Sequence, residues 1–175
     1  HDHLLAEIIE RDAAGRAIKH TGDGYLAVFD RPDVAVERAL DMQRAMRARE
    51  LTIRVGIHMG QVSVEPSTGG HADIFGHNVD WAARAEALAQ PGHICVTPPV
   101  YADASRHLNS GVCSWKRHGE YAVKDGETAL DIWEPHEANV DPMDAPRGRR
   151  LYGAHPAIWR VPIARNRNFT GREDI

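Results

Sequence analysis

The stretch IKHTGDGYLAVFD, residues 18–30, contains the first side chain whose setting could support chemistry. Asp23 lies between Gly22 and Gly24. An ionised carboxylate at such a position could bind a divalent cation, and the flanking glycines would let phosphate groups approach the backbone. Asp-Gly between apolar segments is also a strong β-hairpin signal, in which the aspartate only favours the turn. The stretch alone therefore leaves two interpretations open, a metal ligand or a turn former.

Histidine and cysteine give no comparable pattern. The eleven histidines are scattered, without the His-x-x-x-His spacing that places two rings on one helix face, and they do not predict a metal site. Cys95 and Cys113 lie in or beside predicted strands, without Cys-x-x-Cys spacing. They are typical of small buried apolar residues, which favours a reducing, cytoplasmic setting.

Length and charge exclude several classes of partner. A chain of 175 residues suits one domain of ordinary size with some tail. Its net charge of −4 comes from well-mixed acids and bases, so no basic surface predicts binding to nucleic acid or to a membrane. No apolar run approaches the roughly 20 residues of a membrane span. The first residue is His1 rather than Met, so we expect a piece of a longer protein.

The elements that must position these residues follow from apolar spacing and from glycine and proline. Leu4, Leu5, Ile8 and Ile9 lie on one helical face, and the segment after the hairpin repeats Ala35, Ala39, Met42 and Met46 along one side. The spacing predicts helices over residues 3–13, 31–49, 77–92 and 98–107, a hairpin over 18–30, a strand, a close-backbone glycine and a second strand within 51–66 around Gly56 and Gly60, a Gly-rich loop over 66–76, and strands over 93–97, 111–118 and 128–133.

This order predicts an α+β fold with a ferredoxin-like core, in which helices cover one face of a mostly antiparallel or mixed sheet. Residues 1–134 form the predicted domain. Beyond Pro135 the chain becomes rich in proline and arginine and loses its periodicity. We therefore expect residues 135–175 to be a linker and the start of a following domain.

Three segments, taken together, resemble the catalytic domain of class III adenylate and guanylate cyclases. They are IKHTGDGYLAVF, IRVGIHMGQV and DIFGHNVDWAARAEALAQPGHICVT, in the family's order and at workable spacings. The resemblance covers about residues 3–134. It implies a homodimer with active sites at the interface, two Mg²⁺ or Mn²⁺ ions per site, and conversion of a nucleoside triphosphate to its 3′,5′-cyclic form.

The resemblance also implies roles for individual residues. Asp23 matches one of two metal-binding aspartates, and the other belongs on a strand that would precede this chain. Lys19 and Asp73 match the pair that binds the adenine ring, which points to ATP and to cyclic AMP as product. Lys124 resembles a phosphate-binding lysine, and Arg84 matches the arginine that stabilises the transition state. Read alone, Lys19 is more typical of a surface ion pair and Asp73 of a loop cap, and Arg84 could be an ordinary exposed helix arginine.

The chain departs from the family at one catalytic position. Four residues before Arg84 the family usually has asparagine, in a pattern like VNxAAR, whereas this chain has VDWAAR with Asp80. Asn78 is nearby, but a shift of two residues faces another side of a helix and cannot replace the asparagine. The departure makes a catalytically inactive module, which dimerises or senses nucleotide, the alternative to an active cyclase.

The last residues, RNRNFTGREDI, are similar to the segment that precedes the nucleotide-binding domain of bacterial STAND-type ATPases. The similarity spans about eleven residues. It implies a C-terminal ATPase domain in the same chain, which an inactive module would regulate.

Overall fold

The structure is a computed structural model that describes residues 2–21, 24–66, 72–123 and 128–151, without the side chains of residues 2, 19–21, 64–66, 72, 73 and 75. The helices are α1 (Asp2–Glu10), α2 (Pro32–Arg47), α3 (His77–Leu88) and α4 (Pro98–His107), and a 3₁₀ turn at Arg11–Ala13 follows α1. The strands are β1 (Gly15–Thr21), β2 (Gly24–Phe29), β3 (Val55–Ile57), β4 (Ser63–Pro66), β5 (Ala72–Phe75), β6 (Ile94–Val96), β7 (Ser114–Val123) and β8 (Thr128–His136).

The predicted helices and the hairpin are confirmed, whereas the loop predicted over residues 66–76 is wrong for its second half. Residues 72–75 form β5, which pairs antiparallel with β4. Ile74 at its centre is only 5% exposed. The preceding Thr-Gly-Gly indicates a turn, but the short apolar run after it gains ladder hydrogen bonds and burial as an edge strand.

The described strands form a mixed sheet of four, in the order β3-β6-β8-β7, and two antiparallel pairs, β1-β2 and β4-β5. Strand β3 runs parallel to β6, and the other pairs in the sheet are antiparallel. The predicted α+β class with a mixed sheet is confirmed. The dimeric architecture stays a prediction.

The core lies on both faces of β6, which explains why this strand is apolar at every position. Successive side chains of a strand point to opposite faces of its sheet. Ile94 and Val96 pack in a cluster with residues of α2 and α4, whereas Cys95 packs in a second cluster with α3, β7 and β8. Both cysteines are free and buried, as the sequence predicts. Burial raises the pKa of the Cys113 thiol to about 11, so the thiol stays protonated at neutral pH.

A C-terminal segment, residues 137–151, packs back on the domain after β8. The backbone N–H of Arg147 donates to the carbonyl of Leu88, the last residue of α3, over 2.7 Å. Strand β7 forms an antiparallel bridge with Arg150 through Tyr121. The segment therefore covers the end of α3 and the outer edge of β7. The domain limits stay a prediction, and the residues that resemble an ATPase lead-in lie outside the described part of the chain.

None of the helices in the described ranges is long and apolar enough to cross a membrane.

Candidate functional site

A groove of about 980 Å³ lies between β2, β3 and one face of α3. Residues 24–29 of β2 form one wall, residues 55–57 of β3 form the other, and Val79 and Ala82 contribute the helix side. Among the described residues, β2 pairs only with β1 and β3 only with β6. Each strand therefore leaves an unpaired edge, and both of these strands line the groove.

Strand β1 carries Lys19 directly after an irregularity in its pairing. The register of the hairpin shifts between Ala17 and Lys19, which leaves Ile18 as an extra residue opposite β2. The Ile18 side chain is buried, and Lys19 then pairs with Leu26. A β-bulge of this kind changes the direction of the side chains that follow it. The bulge therefore determines the direction of the backbone at Lys19.

Asp73 lies on β5, opposite Glu65 of β4, and β5 contacts β1. The fold thus brings together the two strands that carry the predicted adenine-binding pair. The side chains of Lys19 and Asp73 are outside the described part of the structure, so the pairing itself stays a prediction. Asp23 and Lys124 also lie outside the described residues.

No group of three or more histidine, cysteine, aspartate or glutamate side chains in the described ranges is arranged to hold a metal ion. The predicted ligand Asp23 is not in those ranges. The carboxylate of Asp23 is the type of donor that Mg²⁺ and Mn²⁺ prefer, so the residue type fits the predicted ions. The ions themselves stay a prediction.

Helix α3 carries the other two predicted site residues, Asp80 and Arg84, one turn apart. Asp80 is exposed and lies in the first turn, where the positive end of the helix dipole stabilises a carboxylate. Arg84 is partly buried, and its guanidinium carbon lies 4.8 Å from the centre of the Trp81 ring. Neither Asp80 nor Arg84 forms an ion pair within 4 Å in the described part of the chain. Both residues lie off the face of α3 that lines the groove.

Asn78 is committed to a different network, as its position on the helix predicts. Its amide nitrogen donates to the Gln61 carbonyl over 2.6 Å, so its amide oxygen faces His58 Nε2 at 3.1 Å. That oxygen can only accept, and His58 Nε2 must therefore carry the proton. His58 Nδ1 is then the acceptor for the Thr97 hydroxyl, 2.9 Å away. Asn78 cannot supply the amide that the family places at position 80.

The His58 imidazole is neutral in this network. Burial lowers the pKa of His58, and the nearby His77 lowers it further, against the opposing effect of the Asn78 hydrogen bond. The network ties the first turn of α3 to the end of β3 and to the residue that follows β6. A neutral histidine therefore fixes the helix that carries Asp80 and Arg84.

Gly56 of β3 lets the same helix approach the sheet backbone to backbone. A Cβ at Gly56 would lie 2.2 Å from the Glu86 nitrogen and 2.3 Å from the Ala82 carbonyl oxygen. Both are main-chain atoms of α3, so no side-chain rotation could relieve the overlap. The sequence predicts a close-backbone glycine in this segment without choosing between Gly56 and Gly60, and the main-chain approach of α3 occurs at Gly56, which sets the distance between α3 and β3.

Sequence reasoning missed three residues that position α3, namely His58, Thr97 and Trp81. His58 and Thr97 each follow a short apolar strand, and a polar residue at such a point is the only local signal. Trp81 lies three residues before Arg84, a spacing that places both side chains on one helix face. That signal was available in the sequence.

A model of the family described as the adenylate and guanylate cyclase catalytic domain matches residues 2–134. The putative adenylate cyclase 3 of Rhizobium meliloti is 35% identical over 127 residues, which are 68% of this chain and 20% of that protein. The chain therefore spans about a fifth of the length of this relative.

Two solved structures have the same fold. An adenylate/guanylate cyclase/hydrolase from Silicibacter pomeroyi is 32% identical, with a TM-score of 0.64 over 82% of this chain and 81% of that one. A monomeric adenylate cyclase from Trypanosoma brucei is 18% identical, with a TM-score of 0.66 over 87% and 83% of the two chains. At that identity the second likeness concerns the fold alone.

Proposed function

Because the chain belongs to the family of adenylate and guanylate cyclase catalytic domains, we propose that it converts ATP to 3′,5′-cyclic AMP and pyrophosphate as a homodimer. The ribose 3′-oxygen attacks the α-phosphorus, the bond from that phosphorus to the bridging oxygen of pyrophosphate breaks, and the 3′-hydroxyl proton leaves to solvent. The protein must therefore bind a polyanion, orient the ribose and stabilise charge on the transferring phosphoryl group.

The observation that carries the proposal is the state of Arg84. Its guanidinium is not neutralised by any described carboxylate, although Asp80 is one helical turn away. A guanidinium can bind two phosphate oxygens at once through parallel N–H donors. Arg84 is therefore available to stabilise the negative charge that develops on the α-phosphoryl group.

The preference for ATP rests on Lys19 and Asp73. A lysine donor and a carboxylate acceptor match the acceptor nitrogens and the amino group on the edge of adenine, whereas guanine presents the opposite pattern. The contact between β1 and β5 supports this pair. The name of the Rhizobium meliloti relative, a putative adenylate cyclase, supports the same nucleotide.

Asp23 and Lys124 complete the proposed site. Asp23 would hold a divalent ion through its carboxylate, and Lys124 would bind a phosphate oxygen as a point charge. The ion, when bound, neutralises phosphate charge and lowers the pKa of the attacking hydroxyl. Asp23→Asn should therefore abolish metal-dependent turnover.

The test is the rate of cyclic AMP formation from ATP, and of cyclic GMP from GTP, by the complete protein with Mg²⁺ or Mn²⁺. We expect Arg84→Ala to lower turnover by a factor on the order of 10² to 10³, as removal of one transition-state donor does elsewhere. Arg106→Ala is the control, because Arg106 is also a helix arginine and is exposed on α4, away from α3. Equal activity of Arg84→Ala and the control would exclude Arg84 from the reaction.

One observation favours a second candidate, an inactive module that binds nucleotide and regulates an attached domain. Asp80 places a carboxylate where the family has an amide, and an ionised carboxylate repels phosphate. A STAND-type ATPase, which the last eleven residues suggest, would be the regulated domain. If wild type and Asp80→Asn both bind ATP and form no cyclic nucleotide, this second function replaces the first.

A further inference from the structure

The Trp81 side chain on α3 is held in place by a hydrogen bond and by packing. Its indole N–H donates to His77 Nε2, one turn earlier, and the two rings meet edge to face with their centres 5.3 Å apart. The ring also packs against the core cluster that contains Cys95 and Ile132. A ring held by a hydrogen bond and by packing cannot turn freely, so its face is a fixed surface.

The Arg84 guanidinium lies on that face. The distance of 4.8 Å from the guanidinium carbon to the ring centre is within the range of a cation–π contact, and Trp is the aromatic residue that binds cations best. Asp80 lies four residues before Arg84, with the acid nearer the helix N-terminus. This is the more favourable orientation for an ion pair on a helix. The pair is nevertheless not formed.

Trp81 and Asp80 therefore compete for one guanidinium. An exposed ion pair of this spacing is weak, because water screens both charges, whereas the ring offers a contact that needs no desolvated anion. An Asp80–Arg84 pair must order two flexible side chains, whereas contact with the fixed Trp81 ring orders only Arg84. A phosphate group could still take Arg84 from the ring, since a bidentate hydrogen bond to phosphate is stronger than either contact.

We propose that Trp81 is a positioning residue that holds Arg84 away from Asp80 and keeps it available to the substrate phosphate. The inference rests on the proposed role of Arg84 in cyclisation. It gives a reason why a chain with aspartate at position 80 can retain a usable arginine one turn later. Trp81 itself touches neither substrate nor metal in this role.

The activity test compares Trp81→Leu in two backgrounds of the complete protein. In the wild-type background, Asp80 captures the released arginine, and we expect kcat to fall about two- to fivefold, which is the shift that one exposed ion pair can impose. The KM for ATP should change little. In the Asp80→Asn background no carboxylate is present to capture Arg84, and the same substitution should have almost no effect on kcat.

Two controls separate the ring face from general damage to the helix. Trp81→Phe keeps an aromatic face and loses the indole N–H, and it should retain most of the activity. Ala87→Leu adds a large apolar side chain at an exposed position of α3 and should leave kcat unchanged. An equal loss for Trp81→Leu in the wild-type and Asp80→Asn backgrounds would overturn the proposal.

A second readout does not depend on turnover. In protein labelled with ¹⁵N-arginine, the ring current of Trp81 should move the Nε–H proton of Arg84 upfield, a signal identified by its loss in Arg84→Lys. The shift should vanish in Trp81→Leu and persist in Asp80→Asn. If wild type forms no cyclic nucleotide, the proposed cyclase function fails. In that case an upfield signal still supports the Trp81–Arg84 contact, and its absence overturns it.

Discussion

Two regions of the molecule each contain a carboxylate near cationic or hydrogen-bond-donating side chains. In one region the carboxylate is bound by its neighbours, and in the other it is not. Glu134 is 1% exposed, and its two oxygens accept hydrogen bonds from His93 Nδ1 at 2.7 Å, His118 Nε2 at 2.8 Å and the Met143 N–H at 3.1 and 3.2 Å. Asp80 is exposed on α3 and forms no ion pair with Arg84, although the spacing would allow one.

The buried carboxylate of Glu134 stabilises the fold, whereas the exposed carboxylate of Asp80 leaves Arg84 available to a ligand. Burying a carboxylate is costly unless donors surround it, and Glu134 meets that condition. Its partners come from three separate parts of the chain. His93 lies in the loop between α3 and β6, His118 lies on β7, and Met143 lies in the C-terminal segment, so Glu134 holds distant parts of the chain together. Asp80 and Arg84 of α3 form no ion pair with any described residue, which costs little in water and leaves both charges able to meet a ligand. The four predictions that follow test this contrast.

Glu134→Ala should have the largest effect, because it leaves two imidazoles and the Met143 N–H without an acceptor. We expect the free energy of unfolding in urea to fall by about 3–5 kcal/mol, because each buried group that loses its hydrogen-bond partner costs about 1–3 kcal/mol. Hydrogen exchange should also rise in residues 137–151. Glu134→Gln keeps the shape and one carbonyl acceptor and should lose less. An Ala variant as stable as wild type would mean that Glu134 holds nothing together.

Gly56→Ala should come next. The added Cβ would overlap main-chain atoms of α3, so the helix must move away from β3, at a cost of about 1–3 kcal/mol. Turnover should fall as well, because the displaced helix carries Arg84. Gly111→Ala is the control, since the nearest atom to its Cβ is the movable side-chain oxygen of Asn109 at 3.1 Å. Equal melting temperatures for the two variants would show that α3 has room to shift.

Asp80→Asn should raise cyclic AMP formation at least several-fold, without a change in melting temperature. Removing the carboxylate removes a repulsion from substrate phosphate that, at an effective dielectric of about 20, amounts to a few kcal/mol before screening by ions. Asp103→Asn on α4 is the control, because it removes the same charge at a partly exposed position of another helix. If Asp80→Asn is slower than wild type, Asp80 has an active role that the family's asparagine does not share.

The smallest effect concerns Glu137, a carboxylate between the two extremes. Burial raises the pKa of Glu137, but hydrogen bonds and charge from Arg44 and Arg47 outweigh this and hold it below its ordinary value. The carboxylate therefore stabilises the folded state fully above the unfolded pKa, and that contribution is lost as the pH falls through the folded pKa.

Glu137→Gln should cost up to about 1 kcal/mol at pH 7, measured by urea unfolding. Between about pH 5 and pH 3 the variant should lose less stability than wild type, because it lacks this titration. Parallel stability curves for the two proteins over that range would show that the arginines do not favour the ionised form of Glu137.

The sequence predicts best where local spacing decides the outcome. Helix α4 spans residues 98–107 as predicted, and Ala35, Ala39 and Met46 of α2 are buried along the predicted stripe. Asp80 and Arg84 lie one turn apart, as helix spacing requires. Each of these features depends on residues within a few turns of one another.

The features that sequence reasoning missed depend on contacts between distant residues. The register shift between Arg117 and Gly119 leaves His118 as an extra residue in β7, with its side chain bonded to Glu134. Gly119, which follows His118 with a φ of +89°, is a local signal for that bulge, but it does not reveal the partner of His118. Glu134 itself lies at the edge of an apparently polar stretch, and its burial depends on His93, which is 41 residues away. The competition between Trp81 and Asp80 for Arg84 also depends on such contacts, because it requires the indole to pack against the core cluster.

The hydrogen bond from Arg147 to the last carbonyl of α3 has a mechanical consequence. Gln90, just beyond α3, also donates to the Ala145 carbonyl, over 3.3 Å. Tension on the chain beyond Leu151 would first load the bridge between Arg150 and β7, and would reach this pair of bonds to the C-terminal end of α3 only after that bridge had opened. The edge of the sheet therefore shields α3, and the helix, which His58 holds at its other end, keeps Arg84 in place until that bridge gives way.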